Sequence, residues 1–168
     1  SAIGRSAFEN CKNLTRIEMA EGVTEIGSGA FMGCDALVSV CLPKTVTTLG
    51  EYAFAYCDSL TVVTLEEGVR TLGQGAFQAC IRLTGLVLPD SVTLIGDNAF
   101  SACELLSYIV IGKGVTTVGG SILGLCDRLT SVYYKGTQEE WADIQVADFN
   151  DTLTQTARYY YSENEKEN

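Results

Sequence analysis

The sequence predicts an α/β solenoid: stacked coils of 23 residues with a parallel β-sheet along one face, closed by a C-terminal cap. Three observations carry that prediction. First, Cys11, Cys34, Cys57, Cys80, Cys103 and Cys126 lie 23 residues apart, one after another. Second, Gly4, Gly27, Gly50, Gly73, Gly96 and Gly119 keep the same step, and so do the Ala-Phe pairs ending in Phe8, Phe31, Phe54, Phe77 and Phe100. Third, Leu14, Leu37, Leu60, Leu83, Leu106 and Leu129 follow in phase. Columns of this kind mark a tandem repeat. A single unit cannot bury its own apolar face, so neighbouring units must stack.

One unit reads I-G-x-x-A-F-x-x-C-x-x-L-x-x-V-x-L-P-x-x-V-x-x. Its L-x-x-V-x-L stretch ends in alternating apolar residues: Ile17/Met19, Val40/Leu42, Val63/Leu65, Leu86/Leu88, Ile109/Ile111 and Val132/Tyr134. Period-two spacing of β-formers predicts a short strand with these side chains inward. Pro43 and Pro89 follow such strands directly, where the chain must turn and a missing N–H is tolerated. A second extended piece, V-x-x-I-G, comes next (Val23/Ile26, Val46/Leu49, Val69/Leu72, Val92/Ile95, Val115/Val118). The A-F-x-x-C piece then fits about one helical turn, with Phe and Cys on the inward side. Parallel pairing of the strands spaces the coils ~4.7–4.9 Å apart, which gives a rod or an arc.

The repeats occupy residues 1–134, the first copy being truncated, and the pattern relaxes in the sixth, where Ile122-Leu123 replace Ala-Phe. Residues 135–162 form the cap that a terminal coil needs. Thr137 and Glu140 make a capping box for a short helix through Trp141, Ile144 and Val146, and Ala157–Ser162 reads as a final strand. Residues 163–168 form a solvated tail. The chain opens in the middle of a unit and so reads as a fragment of a longer protein. Its Ile3–Phe8 coil has an open apolar edge, which predicts self-association.

Composition narrows the function. With 46% apolar and 19% charged residues the chain can build a core. A net charge of −10 argues against nucleic-acid binding, since there is no basic surplus to displace counterions. No apolar run reaches the ~18–20 residues that span a bilayer, and no signal peptide is visible. The chain has no histidine, which excludes Cys–His and Ser–His nucleophile pairs, and its cysteine spacing matches no zinc site. The stretch Gly27-Ser28-Gly29-Ala30-Phe31-Met32-Gly33 superficially resembles a phosphate loop. Only its first glycine persists in the other copies, so the persistent glycine serves a positive-φ turn or a close backbone approach. The cysteine column reads as a buried ladder of reduced thiols, and Cys41, between Val40 and Leu42, as an outward, partly exposed thiol. Glu21, Glu66, Glu67 and Asp90 lie in turns as solvated carboxylates. No catalytic residue, metal site or cofactor is implied.

What remains is the outward surface of the strands. One column runs Glu18, Cys41, Thr64, Val87, Val110, Tyr133, and its neighbour Arg16, Ser39, Val62, Gly85, Tyr108, Ser131. Both become uncharged and apolar towards the C-terminal half. Val62, Thr64, Val87, Tyr108, Val110 and Tyr133 are therefore the candidate partner-binding face. The alternative is that β-branched and aromatic residues stand there because they favour strands.

The combination C-x-x-L-x-x-V-x-L-P joined to I-G-x-x-A-F closely resembles the BspA-like leucine-rich repeat family of bacterial surface and secreted proteins, also found in some protists. The resemblance covers residues 3–134 in six copies. It implies a leucine-rich repeat solenoid with a C-terminal cap. It also implies a non-enzymatic, extracellular or cell-surface module that binds protein, through adhesion to host proteins such as extracellular-matrix components, or to other cells. A structural spacer presenting a different domain of a larger protein is the alternative; an enzyme is not expected.

Overall fold

A computed structural model describes residues 1–160. Through the repeats the strands run β1 (Ala2–Ile3), β2 (Glu25–Ile26), β3 (Ser39–Leu42), β4 (Thr48–Leu49), β5 (Val62–Leu65), β6 (Thr71–Leu72), β7 (Gly85–Val87), β8 (Leu94–Ile95), β9 (Tyr108–Ile111), β10 (Thr117–Val118) and β11 (Ser131–Tyr134). Beyond them come α1 (Gln138–Ala142), β12 (Gln145–Val146), α2 (Asp151–Gln155) and β13 (Ala157–Tyr160).

The chain is a parallel β-solenoid with two sheet faces. The V-x-x-I-G pieces build one continuous parallel sheet, β1-β2-β4-β6-β8-β10-β12, in which Ile3, Ile26, Leu49, Leu72, Ile95, Val118 and Val146 are successive register partners. The L-x-x-V-x-L pieces build the other face, which is divided into β3-β5 and β7-β9-β11-β13. The first copy contributes no strand to that face. Its Arg16 makes a lone bridge to Ser39, and Ile17 and Met19, which the alternation assigns to a strand, are only half-buried. In this structure the second coil covers the apolar residues of the first on one side.

Between the faces runs the core. Phe31, Phe54, Phe77 and Phe100 are fully buried, and their rings continue from Phe8 as a stack with centroids 5.1, 5.1, 5.4 and 6.1 Å apart. Each buried ring stabilises the fold by roughly 1.5–3 kcal/mol. Phe8, at the end of this stack, is 42% exposed. Beside the rings stands the thiol ladder. The Sγ–H of Cys34, Cys57, Cys80, Cys103 and Cys126 donates to the carbonyl of Phe8, Phe31, Phe54, Phe77 and Phe100 respectively, at 3.2–3.3 Å. All the cysteines are free thiols, and burial pushes that of Cys57 up to about 12 and that of Cys126 up to about 11. Cys11, at the open end, is exposed.

The A-F-x-x-C piece is not a helical turn. Ala30, Met32 and Cys34 donate their amides three residues back, to Gly27, Gly29 and Phe31 (3.1, 3.1 and 3.3 Å). The alternate amides of Gly29, Phe31 and Gly33 instead donate to Glu51, Ala53 and Ala55 of the next coil (2.8, 2.8 and 2.9 Å). A helix would consume every amide within the segment, whereas here every second amide ties two coils together. Such a chain of tight turns needs left-handed backbone at two places per coil. Gly29 (φ 63°) and Gly33 (φ 70°) supply it in the second coil, but Tyr52, Tyr56, Ala102 and Leu125 adopt the same conformation elsewhere (φ 55–60°).

The persistent glycines have the other role. A Cβ on Gly73 would lie 2.6 Å from the carbonyl carbon of Gly50 and 2.7 Å from the amide nitrogen of Glu51, and Gly27, Gly50, Gly96 and Gly119 meet the preceding coil as closely. Their absent side chains let the backbones touch.

The cap closes the last coil. Thr137 and Glu140 form the capping box of α1 (Glu140 N to Thr137 Oγ1 3.1 Å, Thr137 N to Glu140 Oε2 2.8 Å). The helix stops at Ala142, short of Val146, because Gln145–Val146 extends the continuous sheet as β12 beside β10. Asn150, buried in the turn before α2, accepts from Ile122 N (3.1 Å) and donates to the carbonyls of Gly119 and Ala147 (both 2.8 Å). One amide side chain thus satisfies backbone groups that a further coil would otherwise meet. Ala157–Tyr160 pairs with β11 as the final strand, and Arg158 lays its guanidinium 4.6 Å from the Trp141 ring centroid. Residues 161–162 of the expected strand, and the expected tail at 163–168, lie outside the described residues.

Candidate functional site

The candidate site is the divided face, and its residues stand at two outward strand positions repeated from coil to coil. Ser39 pairs in register with Val62, Gly85 with Tyr108, Val87 with Val110, and Val110 with Tyr133. The side chains at alternate positions therefore stand in columns facing away from the core. Val62 (54%), Val87 (45%) and Tyr108 (42%) are strongly exposed, and Thr64 is exposed beside them. Tyr133 is half-buried, its ring stacked on that of Tyr159 with centroids 5.1 Å apart. Val110 departs from expectation. Only 6% of it is exposed, although it points away from the core, with Val87 and Tyr133 standing on either side in register. It presents almost no surface to a partner.

The structure adds a feature that the alternation does not announce. β5 and β7 are neighbours in the coil order but share no ladder. Over this seam lies an open groove of about 510 Å³, lined by Val62, Val63, Thr64, Gly85, Leu86, Val87 and Tyr108, with Glu66, Glu67, Pro89 and Lys135 towards one end. The sequence signal for it is Gly85, the glycine of its outward column. The Tyr108 ring lies over it, where a Cβ would collide with the ring. Glycine weakens a strand and marks a close approach of another group.

Charge is distributed unevenly around the groove. The Glu67 carboxylate accepts from the amides of Asp90 and Ser91 (both 3.0 Å) and is held in place. Lys135 faces Asp90 Oδ1 at 3.5 Å, which offsets its charge. Glu66 is exposed and also borders a second groove of about 570 Å³, lined by Arg16, Glu18, Met19, Cys41 and Lys44 among others. Among the described residues no three His, Cys, Asp or Glu side chains converge into a metal-binding group. Among them, too, no helix is long and apolar enough to cross a membrane. The arrangement is a long, shallow face with an apolar strip and an acidic border, suited to contact with another polypeptide.

Residues 1–130 match, in six copies, the profile of the BspA type leucine rich repeat region. The chain belongs to the BspA-type leucine-rich repeat family. Solved structures of similar proteins agree with that membership. A leucine rich cell surface protein from Faecalibacterium prausnitzii A2-165 is 30% identical with a TM-score of 0.72; the match covers 77% of this chain and 34% of that one. A leucine rich repeat protein of T. pallidum is 25% identical with a TM-score of 0.76, over 95% of this chain and 78% of that one. A leucine-rich repeat protein from Bacteroides ovatus ATCC 8483 is 26% identical with a TM-score of 0.51, over 86% of this chain and 48% of that one. This BspA-type chain thus spans about a third of the length of the F. prausnitzii protein. No curated protein sequence matches it significantly.

Proposed function

We propose that this BspA-type chain is a non-enzymatic protein-binding module of a bacterial cell-surface or secreted protein, serving adhesion to host proteins or to other cells. The partner meets the divided face at Val62, Thr64, Val87, Tyr108 and Tyr133. One observation carries the reading: three large apolar side chains from successive coils, Val62, Val87 and Tyr108, stand exposed around one groove on a face otherwise made of ordered strands. A contiguous exposed apolar strip with a polar border is the signature of an interaction surface. Kinship with a protein described as a leucine rich cell surface protein supports the location.

The test is binding of the chain to immobilised extracellular-matrix proteins and to cultured host cells, compared with Tyr108→Ala and Val62→Asp. Loss of binding in both variants, with the denaturation midpoint unchanged, supports the reading. A spacer has no binding to lose.

A further inference from the structure

The seam between β5 and β7 differs from the laddered junctions on either side of it. Just ahead of β5, β9 and β11, a backbone amide steps back one coil: Thr61 N donates to Val38 O (2.9 Å), Ser107 N to Thr84 O (2.9 Å) and Thr130 N to Ser107 O (3.0 Å). The hydroxyls of Thr61, Ser107 and Thr130 donate to the same carbonyls, at 3.2, 2.9 and 3.2 Å. Thr84 occupies the equivalent position and makes neither bond to Thr61. The inward column reports the same opening. Val40, Leu86, Ile109 and Val132 are at most 2% exposed, whereas Val63 is only half-buried. The seam is therefore a slot. Val63 is its floor, Val62, Val87 and Tyr108 stand along it, and β5 and β7 remain adjacent there without ladder bonds.

We infer that this slot takes one extended segment of a partner polypeptide, with an apolar side chain entering over Val63 and an adjacent lysine or arginine meeting Glu66. The inference rests on the divided face being the binding face and deepens that reading to the chemistry of the partner. Three features select this occupant. The walls are apolar, so an apolar side chain gains by leaving water. The opening is shallow, because β5 and β7 stay adjacent beneath it, so an extended segment lies along it and lowers one side chain over Val63. Glu66 is exposed and makes no ion pair among the described residues, Glu67 beside it is fixed by two amides, and Lys135 is engaged by Asp90. That end of the slot is thus net acidic in a protein of net charge −10, which favours a basic residue and repels an acidic one.

The experiment pans a random heptapeptide display library on the intact chain, then measures enriched peptides by fluorescence anisotropy against the wild type, Val87→Asp and Glu66→Lys. Circular dichroism and denaturation midpoints establish that these surface variants are folded. Enriched peptides are expected to carry an apolar residue beside Lys or Arg. Val87→Asp is expected to weaken them by about tenfold or more, as loss of a central anchor does, and Glu66→Lys to shift the preference towards Asp or Glu. Failure to enrich any peptide overturns the inference, as does enrichment of acidic peptides or undiminished binding to Val87→Asp. The two readings fail separately. Cell and matrix binding lost in Tyr108→Ala with no peptide at the slot leaves the face and removes the slot. Peptide binding at the slot without cell or matrix binding leaves the slot and removes adhesion.

Discussion

Substituting alanine for Gly73 would place a methyl group 2.6, 2.7 and 2.8 Å from Gly50 C, Glu51 N and Leu49 O, all of them backbone atoms of the preceding coil. Non-bonded carbons rest at ~3.5–4.0 Å, so the two coils must part by about 1 Å at this point, and no side chain can swing aside to avoid it. Overpacking of this kind costs about 1–3 kcal/mol. The parting also stretches the bond from Gly73 N to Leu49 O, now 2.9 Å, which contributes about 1 kcal/mol more when weakened. A destabilisation of about 2–4 kcal/mol follows. The molecule contains its own control. Gly4 holds the same place in the first coil, where an added Cβ would meet nothing within 4 Å, and neither glycine has left-handed φ. Gly4→Ala is therefore expected to shift stability by less than about 0.5 kcal/mol. Urea denaturation followed by far-ultraviolet circular dichroism compares the two. Equal midpoints for Gly73→Ala and Gly4→Ala would refute backbone contact as the reason for the glycine column.

Phe54→Ala removes a fully buried ring stacked 5.1 and 5.4 Å from its neighbours and is expected to cost about 3–5 kcal/mol, read from the same denaturation curves. Asn150→Leu keeps the bulk but leaves Ile122 N and the carbonyls of Gly119 and Ala147 unmatched; a loss of about 2–3 kcal/mol is expected, with faster hydrogen exchange at the Ile122 amide. The thiol ladder makes the fold sensitive to alkali. Cys57 rises from 9.0 to about 12 on folding, so its contribution is complete below about pH 9 and is lost as pH climbs towards 12. Each such thiol lowers stability by up to ~1.4 kcal/mol per pH unit across that window. Denaturation midpoints from pH 7 to 11 should fall steeply above pH 9, and less steeply in Cys57→Ala; identical slopes would count against the buried-thiol origin.

The repeat, its two extended pieces and its inward columns are legible in the sequence because each coil buries the same positions, and burial leaves the same residue types at Phe54 and Phe77 or at Cys57 and Cys80. What depends on the neighbouring coil is not legible from one unit. Ala30-Phe31 and Cys34 fit one helical turn equally well, and only the alternate amides, bonded to the next coil, decide for tight turns. Tyr52 and Leu125 hide the left-handed positions that Gly29 and Gly33 reveal, since stacking holds them where their own preference would not. At the candidate face, exposure of Val62, Val87 and Tyr108 follows from strand alternation alone. The burial of Val110 and the opening beside Val63 do not, because both are set by how adjacent coils meet. Gly85 is the single residue that hints at the seam.

The carbonyl-bonded cysteines bear on how this chain withstands an oxidising medium. Oxidation and disulfide exchange require an accessible thiolate, and the ladder thiols of Cys57, Cys80 and Cys103 are fully buried and held as neutral donors. In an oxidising medium they stay reduced with no disulfide to protect them, and the stack depends on no oxidative folding step. Cys11 and Cys41, the exposed thiols, are the points where such a medium reacts, and brief treatment of the native protein with iodoacetamide should label those and spare the ladder.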